Sequence, residues 1–362
     1  MTTQTDSKAK PSRLMAIWRA ASIPLAAVIL ALLVGAVILL ISGANPIAAY
    51  SALAKGAFGS TAAFGRTLEK ATPLILGGLA VAFAFKGGLF NIGGQGQLLF
   101  GAIVAAGVGF GIDGLPFIIH MPLALLIGSL AGALYGAIPG ALKTYTGAHE
   151  VITTIMLNFI AINFTDWLAD GPWKDEGIVA RTPAIAEAAA IPTWGNIPAG
   201  FFLAILAAVA TWYLLYRTTT GYEIRTVGLN SNAAKYAGIK VSYTVILTMA
   251  ISGFLAGMGG AIETLGVVGR YQPGFNAGLG FDGITIALLA RSNPVWTIPA
   301  AFLVGILRTG AAGLQFATGI APEIVDLILA ITLLLVSIPV LGRWIFRSRA
   351  DKVQAAATSW GN

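Results

Sequence analysis

Polar side chains are scarce inside the apolar stretches of this chain, and those few are the ones able to do chemistry. Asn91, Gln95 and Gln97 lie in KGGLFNIGGQGQLLFGA, residues 86–102. Asn158 lies in GAHEVITTIMLNFIA, residues 147–161, and Asn276 and Asp282 in PGFNAGLGFDGITIALLA, residues 273–290. All but Asp282 are neutral amides, which donate and accept hydrogen bonds but do not titrate near neutral pH. They suit reversible hydrogen bonding to an uncharged polar solute, or bonding to a neighbouring helix; the residue types leave both readings open. Asp282 marks a functional site if it lies within a membrane, or caps the helix that follows it.

Catalysis is a poor fit. The chain has no Cys and two His, so thiolate metal sites and disulfides are excluded and little remains for a His-based site. No GxxxxGK[ST] is present, so the chain cannot cradle ATP in a P-loop. GLGFDG at 278–283 matches GxGxxG but opens an apolar run with no preceding strand. Neither an HExxH pattern nor a nucleophile with its base is found.

The elements that must position these amides are membrane spans. The chain has 362 residues, 57% hydrophobic and 10% charged, with a mean hydropathy of +0.82. Soluble domains carry about 25% charged residues, so the bilayer covers most of this surface. Long apolar runs occur at 21–42, 116–141, 149–168, 200–216, 242–263, 296–316 and 324–342, and shorter or glycine-broken ones at 72–86, 89–112 and 280–290. The expectation is an all-α integral membrane protein of about ten spans, some broken or re-entrant. With the N-terminus in the cytoplasm, 15 of the 22 Lys and Arg fall inside, six outside and one, Arg308, within a span. The net charge of +7 is therefore a topology signal, and it points to no nucleic-acid partner. Residues 1–20 and 343–362 read as cytoplasmic tails around a transmembrane domain at 21–342. The first span reads as an uncleaved anchor, despite a signal-peptidase-like Ser42-Gly43-Ala44.

Two further segments stand out. GYEIRTVGLNSNAAKYAGIKV, residues 221–241, reads as a cytoplasmic loop holding a short helix. Asn230 or Ser231 can cap that helix and Gly238 can stop it, while Glu223, Arg225, Lys235 and Tyr236 give it a polar face. A capped helix held between two spans can pass a push to them. GLFNIGG and PGFNAGL also share a pattern, one near each side of the membrane, which suggests an inverted repeat with broken helices at the pathway.

Together, FNIGGQGQ (90–97), EVITTIMLN (150–158), EIRTVGLNSNAAKYAGI (223–239) and GFDGITIALLARSNP (280–294) resemble the permease subunits of bacterial ABC importers. The class is that of the ribose and branched-chain amino-acid permeases, and the nearest subgroup is the nucleoside permeases served by a lipoprotein. The resemblance covers residues 70–345. It implies that a cytosolic ABC ATPase, which carries the ATP and Mg, grips the coupling loop through Glu223, Arg225, Asn230, Lys235, Tyr236 and Gly238. It implies a second permease subunit, identical or different, and an extracytoplasmic substrate-binding lipoprotein that docks on outer loops such as 169–199. The pathway residues would be Asn91, Gln95, Gln97, Asn158, Asn276 and Asp282. No cofactor would sit on this chain, and its place would be the inner membrane, with both termini cytoplasmic. The family often has Glu at position 95 and Asn at 149, where this chain has Gln95 and His149, so a charge-dependent role at 95 is in doubt. The neutral amide suits an uncharged nucleoside or a simple sugar such as ribose. A different class, the self-contained ion-coupled carrier, would need an intramembrane acid such as Asp282, Glu263 or Asp326, with Arg308 able to pair with Asp326.

Overall fold

The fold comes from a computed structural model, and the structure describes residues 13–274, 278–319, 321 and 323–337. Asn276, residues 1–12 and residues 338–362 lie outside them. The described chain is helical: α1 (Arg13–Ile41), α2 (Pro46–Phe58), α3 (Thr61–Lys86), α4 (Gly94–Gly111), α5 (Phe117–Thr146), α6 (Glu150–Asp170), α7 (Ala199–Arg217), α8 (Thr219–Leu229), α9 (Ser231–Tyr236), α10 (Val241–Glu263), α11 (Leu279–Leu289), α12 (Pro294–Thr318) and α13 (Glu323–Ser337). A π-helical turn, Thr264–Val268, extends α10, and Thr193–Trp194 pairs antiparallel with Ile197–Pro198.

Helices α3 to α7, α10 with its extension, and α12 are long and apolar enough to cross a bilayer singly, seven in all among the described residues. Segments Leu25–Ile41 and Pro46–Phe58 pass the same test as a joined pair. At 11 residues α11 falls short of the roughly 20 needed to span, as expected of a broken run. Each of the ten apolar runs contains a helix. Two boundaries differ from the sequence reading. Helix α2 was not among the expected runs, and α3 begins at Thr61 rather than at 72. Arg66, Glu69 and Lys70 dilute the apolar signal of its first turns, while Ser60 caps them by accepting from the Ala63 N–H at 3.1 Å.

The chain divides into two compact units, residues 1–46 with 326–362, and residues 47–325. The second holds the candidate site. At its heart α5 and α10 meet along a seam of glycines: Gly128, Gly132, Gly136 and Gly140 on one helix, Gly253 and Gly257 on the other. A methyl at Gly132 would stand 2.5 Å from the Gly253 carbonyl oxygen. Small residues at four-residue spacing let helix backbones touch where apolar burial offers no drive. Helix α3 is the most buried span, whereas α5 and α6 are buried over only 28% and 22% of their apolar windows.

Residues 171–198 fold back over the end of the bundle opposite α8 and α9. Ala186 N–H donates to Gly109 at 2.8 Å and Ile191 N–H to Leu265 at 2.8 Å. Asp175 bridges Arg181 and Arg270, each at 3.3 Å. Tyr271 is fully buried beneath this cover and its hydroxyl donates to Thr165 at 2.7 Å. Burial pushes its pKa up, so it remains a neutral donor.

Candidate functional site

Helix α3 ends at Lys86, and Gly88, at φ +71°, turns the chain back into the bundle. The depth of that return is set by Asn91. Its amide donates to Ser252 Oγ at 2.8 Å, and Ser252 donates to the Ala80 carbonyl at 2.7 Å. Ala80 lies six residues inside α3, about 9 Å from its end at 1.5 Å per residue. Helix α4 therefore starts within the bundle, where its first N–H groups have no water. The amides answer that need. Asn91 Oδ1 accepts from Gly93 N–H at 2.9 Å, and its Nδ2 donates to Gln97 Oε1 at 2.9 Å. Asn158 reaches across from α6, accepting from Gly96 N–H at 2.8 Å and donating to the Ile92 carbonyl at 2.9 Å. These three side chains and Gln95 are 0–3% exposed.

A second helix starts at similar depth. Gly278, at φ +93°, opens α11, and Gln95 Oε1 accepts from the Gly280 N–H at 2.8 Å. Gly280 lies so close to the backbone of Gln95 that no side chain fits there. The two interior helix starts are thus joined by Gln95. Beside this junction Asp282 meets Arg308 of α12, Oδ2 to Nη2 at 2.7 Å.

At the opposite end of the returning segment lies the 221–241 loop, folded as α8 and α9. Asn230 caps α9 by accepting from Ala233 N–H at 3.0 Å, and Gly238, at φ +83°, follows its end. Arg225 stacks over Tyr216 at 5.0 Å, and Glu223 is half-buried. Lys235 is exposed, as are Tyr236, Leu229 and Tyr222. The last two were missed in the sequence, although a large apolar side chain in a polar loop is a usable signal for a contact surface. Gly228 of α8 presses on the turn after α3: a methyl there would stand 2.8 Å from Gly87 C and from Gly88 N. Around that contact Ala84, Leu89, Val227, Ala234, Val245 and Met249 form one buried cluster. An open cleft of about 540 Å³ lies beside it, lined in part by Gly88, Leu89, Lys143 and Asn230. Lys143 also bonds the buried Glu150 at 2.6 Å, while His149 caps α6 by accepting from Val151 N–H at 3.3 Å.

The structure therefore gathers Asn91, Gln97 and Asn158 around the start of α4, ties Gln95 to the start of α11, and sets Asp282 beside them. Ser252 and Gly280 complete these contacts, and neither was evident from the sequence, since their partners are 161 and 185 residues away.

Comparison with known proteins gives a consistent result. Residues 63–337 match the model of a family described as the branched-chain amino acid transport system / permease component. The guanosine ABC transporter permease protein NupP of Bacillus subtilis (strain 168) is 42% identical, over 87% of this chain and 92% of its own length. The nucleoside ABC transporter permease protein NupB of Lactococcus lactis subsp. cremoris is 36% identical, over 87% and 90%. The glucose ABC transporter permease protein TsgB13 of Haloferax volcanii is 32% identical, over 90% and 89%. No solved structure matches the chain.

Proposed function

The chain belongs to the branched-chain amino acid transport system / permease component family, and from that premise we propose that it is the membrane permease subunit of an ATP-driven importer of nucleosides. It is a transport subunit and not an enzyme; ATP hydrolysis belongs to a separate chain. The observation that carries the mechanism is the backbone contact of Gly228 with Gly87 and Gly88. It places the exposed α8–α9 surface against the turn from which the chain re-enters the bundle.

In this mechanism a cytosolic ABC ATPase binds the α8–α9 surface through Leu229, Lys235 and Tyr236, with Arg225 and Asn230 holding its shape. Closure of the ATPase pair pushes α8. Gly228 passes the push to Gly88, and the hydrogen bonds of Asn91 and Asn158 carry it to the start of α4. Gln95 carries it on to α11. The open flanks of α5 and α6 face a second permease chain, and the pathway runs between the two. A binding lipoprotein delivers solute to the 171–198 cover. Both termini lie in the cytoplasm, and the membrane is the bacterial cytoplasmic one. Identity to NupP and NupB supports nucleosides as solutes, and identity to TsgB13 keeps a simple sugar as the second reading.

The test is uptake into vesicles holding this chain with its ATPase, partner permease and binding protein. ATP-dependent accumulation of a labelled nucleoside, lost when the ATPase is inactivated, is expected. Accumulation by this chain alone under an ion gradient would instead make it a secondary carrier.

A further inference from the structure

The Asp282–Arg308 pair is unusual in its depth and its exposure. Gly283, the neighbour of Asp282, packs on Gly77, where a methyl would stand 2.6 Å from the Gly77 carbonyl oxygen. Gly77 is nine residues from one end of α3 and sixteen from the other, about 13 Å and 24 Å along the helix. Asp282 is thus at mid-depth of a hydrocarbon layer roughly 30 Å thick. Arg308 sits ten residues from the end of α12, yet it does not extend towards that end. Side chains on a helix lean towards its N-terminus, and Arg308 leans back to Asp282. It does not snorkel as an intramembrane Arg near a helix end would.

Even so, the pair is not wholly sealed in protein: Asp282 Oδ2 and Arg308 Nε are buried, but the Arg308 side chain as a whole is 30% exposed and that of Asp282 18%. The neutral amides of the adjoining network are 0–3% exposed. Ionised groups at mid-depth that are open on one side face water or a polar ligand rather than lipid tails. We propose that this pair lines the solute pathway and forms a recognition point for the vicinal hydroxyls of a sugar ring. With Asp282 Oδ2 and Arg308 Nε buried, the other carboxylate oxygen would accept a hydrogen bond from one hydroxyl and the terminal guanidinium nitrogens would donate to the diol oxygens. Because the two charges neutralise each other, the site favours an uncharged polyol over an ion. The ribose of a nucleoside and a free sugar present the same diol, so the site serves both solute readings. The proposal rests on the importer reading for the existence of a pathway.

The chain has no cysteine, so one introduced thiol reports its surroundings cleanly. Ala312 is exposed and lies one turn from Arg308 on the same face of α12. In the assembled complex, Ala312→Cys is expected to react with a membrane-impermeant sulfonated methanethiosulfonate, and nucleoside under turnover to slow that reaction. Leu206→Cys, on the open face of α7, is expected to stay unmodified. An unreactive Ala312→Cys overturns the proposal. The second arm keeps the binding protein saturated and compares maximal uptake of uridine with that of 2′,3′-dideoxyuridine. A preference for uridine of at least about fivefold is expected, falling to near unity in Asp282→Asn. Arg308→Lys, which keeps the ion pair but removes the fork, gives the same readout if Asp282→Asn does not accumulate. An unchanged ratio with lower uptake of both solutes makes the pair a structural staple and overturns the proposal. Failure of the unaltered complex to take up any nucleoside with ATP would remove the importer reading instead, and the thiol reaction would still report whether this face is wet.

Discussion

The starts of α4 and α11 solve one problem in two ways. Both helices begin away from the membrane surface, inside the bundle, so both must find partners for their first backbone N–H groups. At α4 the chain answers with neutral amides that reach 0–3% exposure and bond almost wholly to backbone and to each other. At α11 a single amide, Gln95, supplies the bond to Gly280, and beside it stands an ion pair that remains partly open. The difference separates holding from handling. A neutral, buried network fixes geometry; a charged, partly exposed pair is where the proposed pathway would meet its solute.

That contrast can be broken by mutation. Asn158→Leu should have the largest effect, because it strands both the Gly96 N–H and the Ile92 carbonyl. At about 1–3 kcal/mol for each orphaned group, a loss of roughly 2–6 kcal/mol is expected, read by thermal unfolding in detergent. A loss below about 1 kcal/mol would mean that water or solute already serves these groups. Gly228→Val tests the link to the ATPase. It should leave ATPase copurification intact but cut uptake by at least about tenfold; equal uptake would free α8 from the turn after α3. Gln95 sharpens the comparison further. Gln95→Leu should cost about 1–3 kcal/mol by orphaning the Gly280 N–H, whereas Gln95→Glu keeps an acceptor and should retain most of that stability. If Glu proves as harmful as Leu, the donor half of the amide is the part that matters. The smallest effect belongs to the exposed Asp170–Lys174 pair at 2.8 Å. Lys174→Ala should change stability by less than about 0.5 kcal/mol, which calibrates the rest.

Much of this fold was legible because hydropathy is local. Ten apolar runs each held a helix, and Asn230 and Gly238 announced the ends of α9. The start of α3 was not legible, since Arg66, Glu69 and Lys70 interrupt a run that tertiary burial nevertheless completes. The break between the runs at 72–86 and 89–112 was legible from its glycines, but the depth to which residues 88–93 return was not, because an extended segment beside a helix has no period of its own. For the site, the types of Asn91, Gln95, Gln97 and Asn158 showed that something polar needed satisfying. What satisfies them, the backbone at Ile92, Gly93, Gly96 and Gly280 and the hydroxyl of Ser252, lies mostly far along the chain. No spacing rule connects residue 95 to residue 280.

The glycine seam between α5 and α10 carries a mechanical consequence. Rotamers are the bearings on which packed helices slide, and at Gly132 and Gly253 there are none to turn. These two helices should travel as a single beam through the transport cycle. Whatever opens and closes must then flex at the turn around Gly88 and at the half-length helix α11, so that the stiffest joint dictates where the machine can bend.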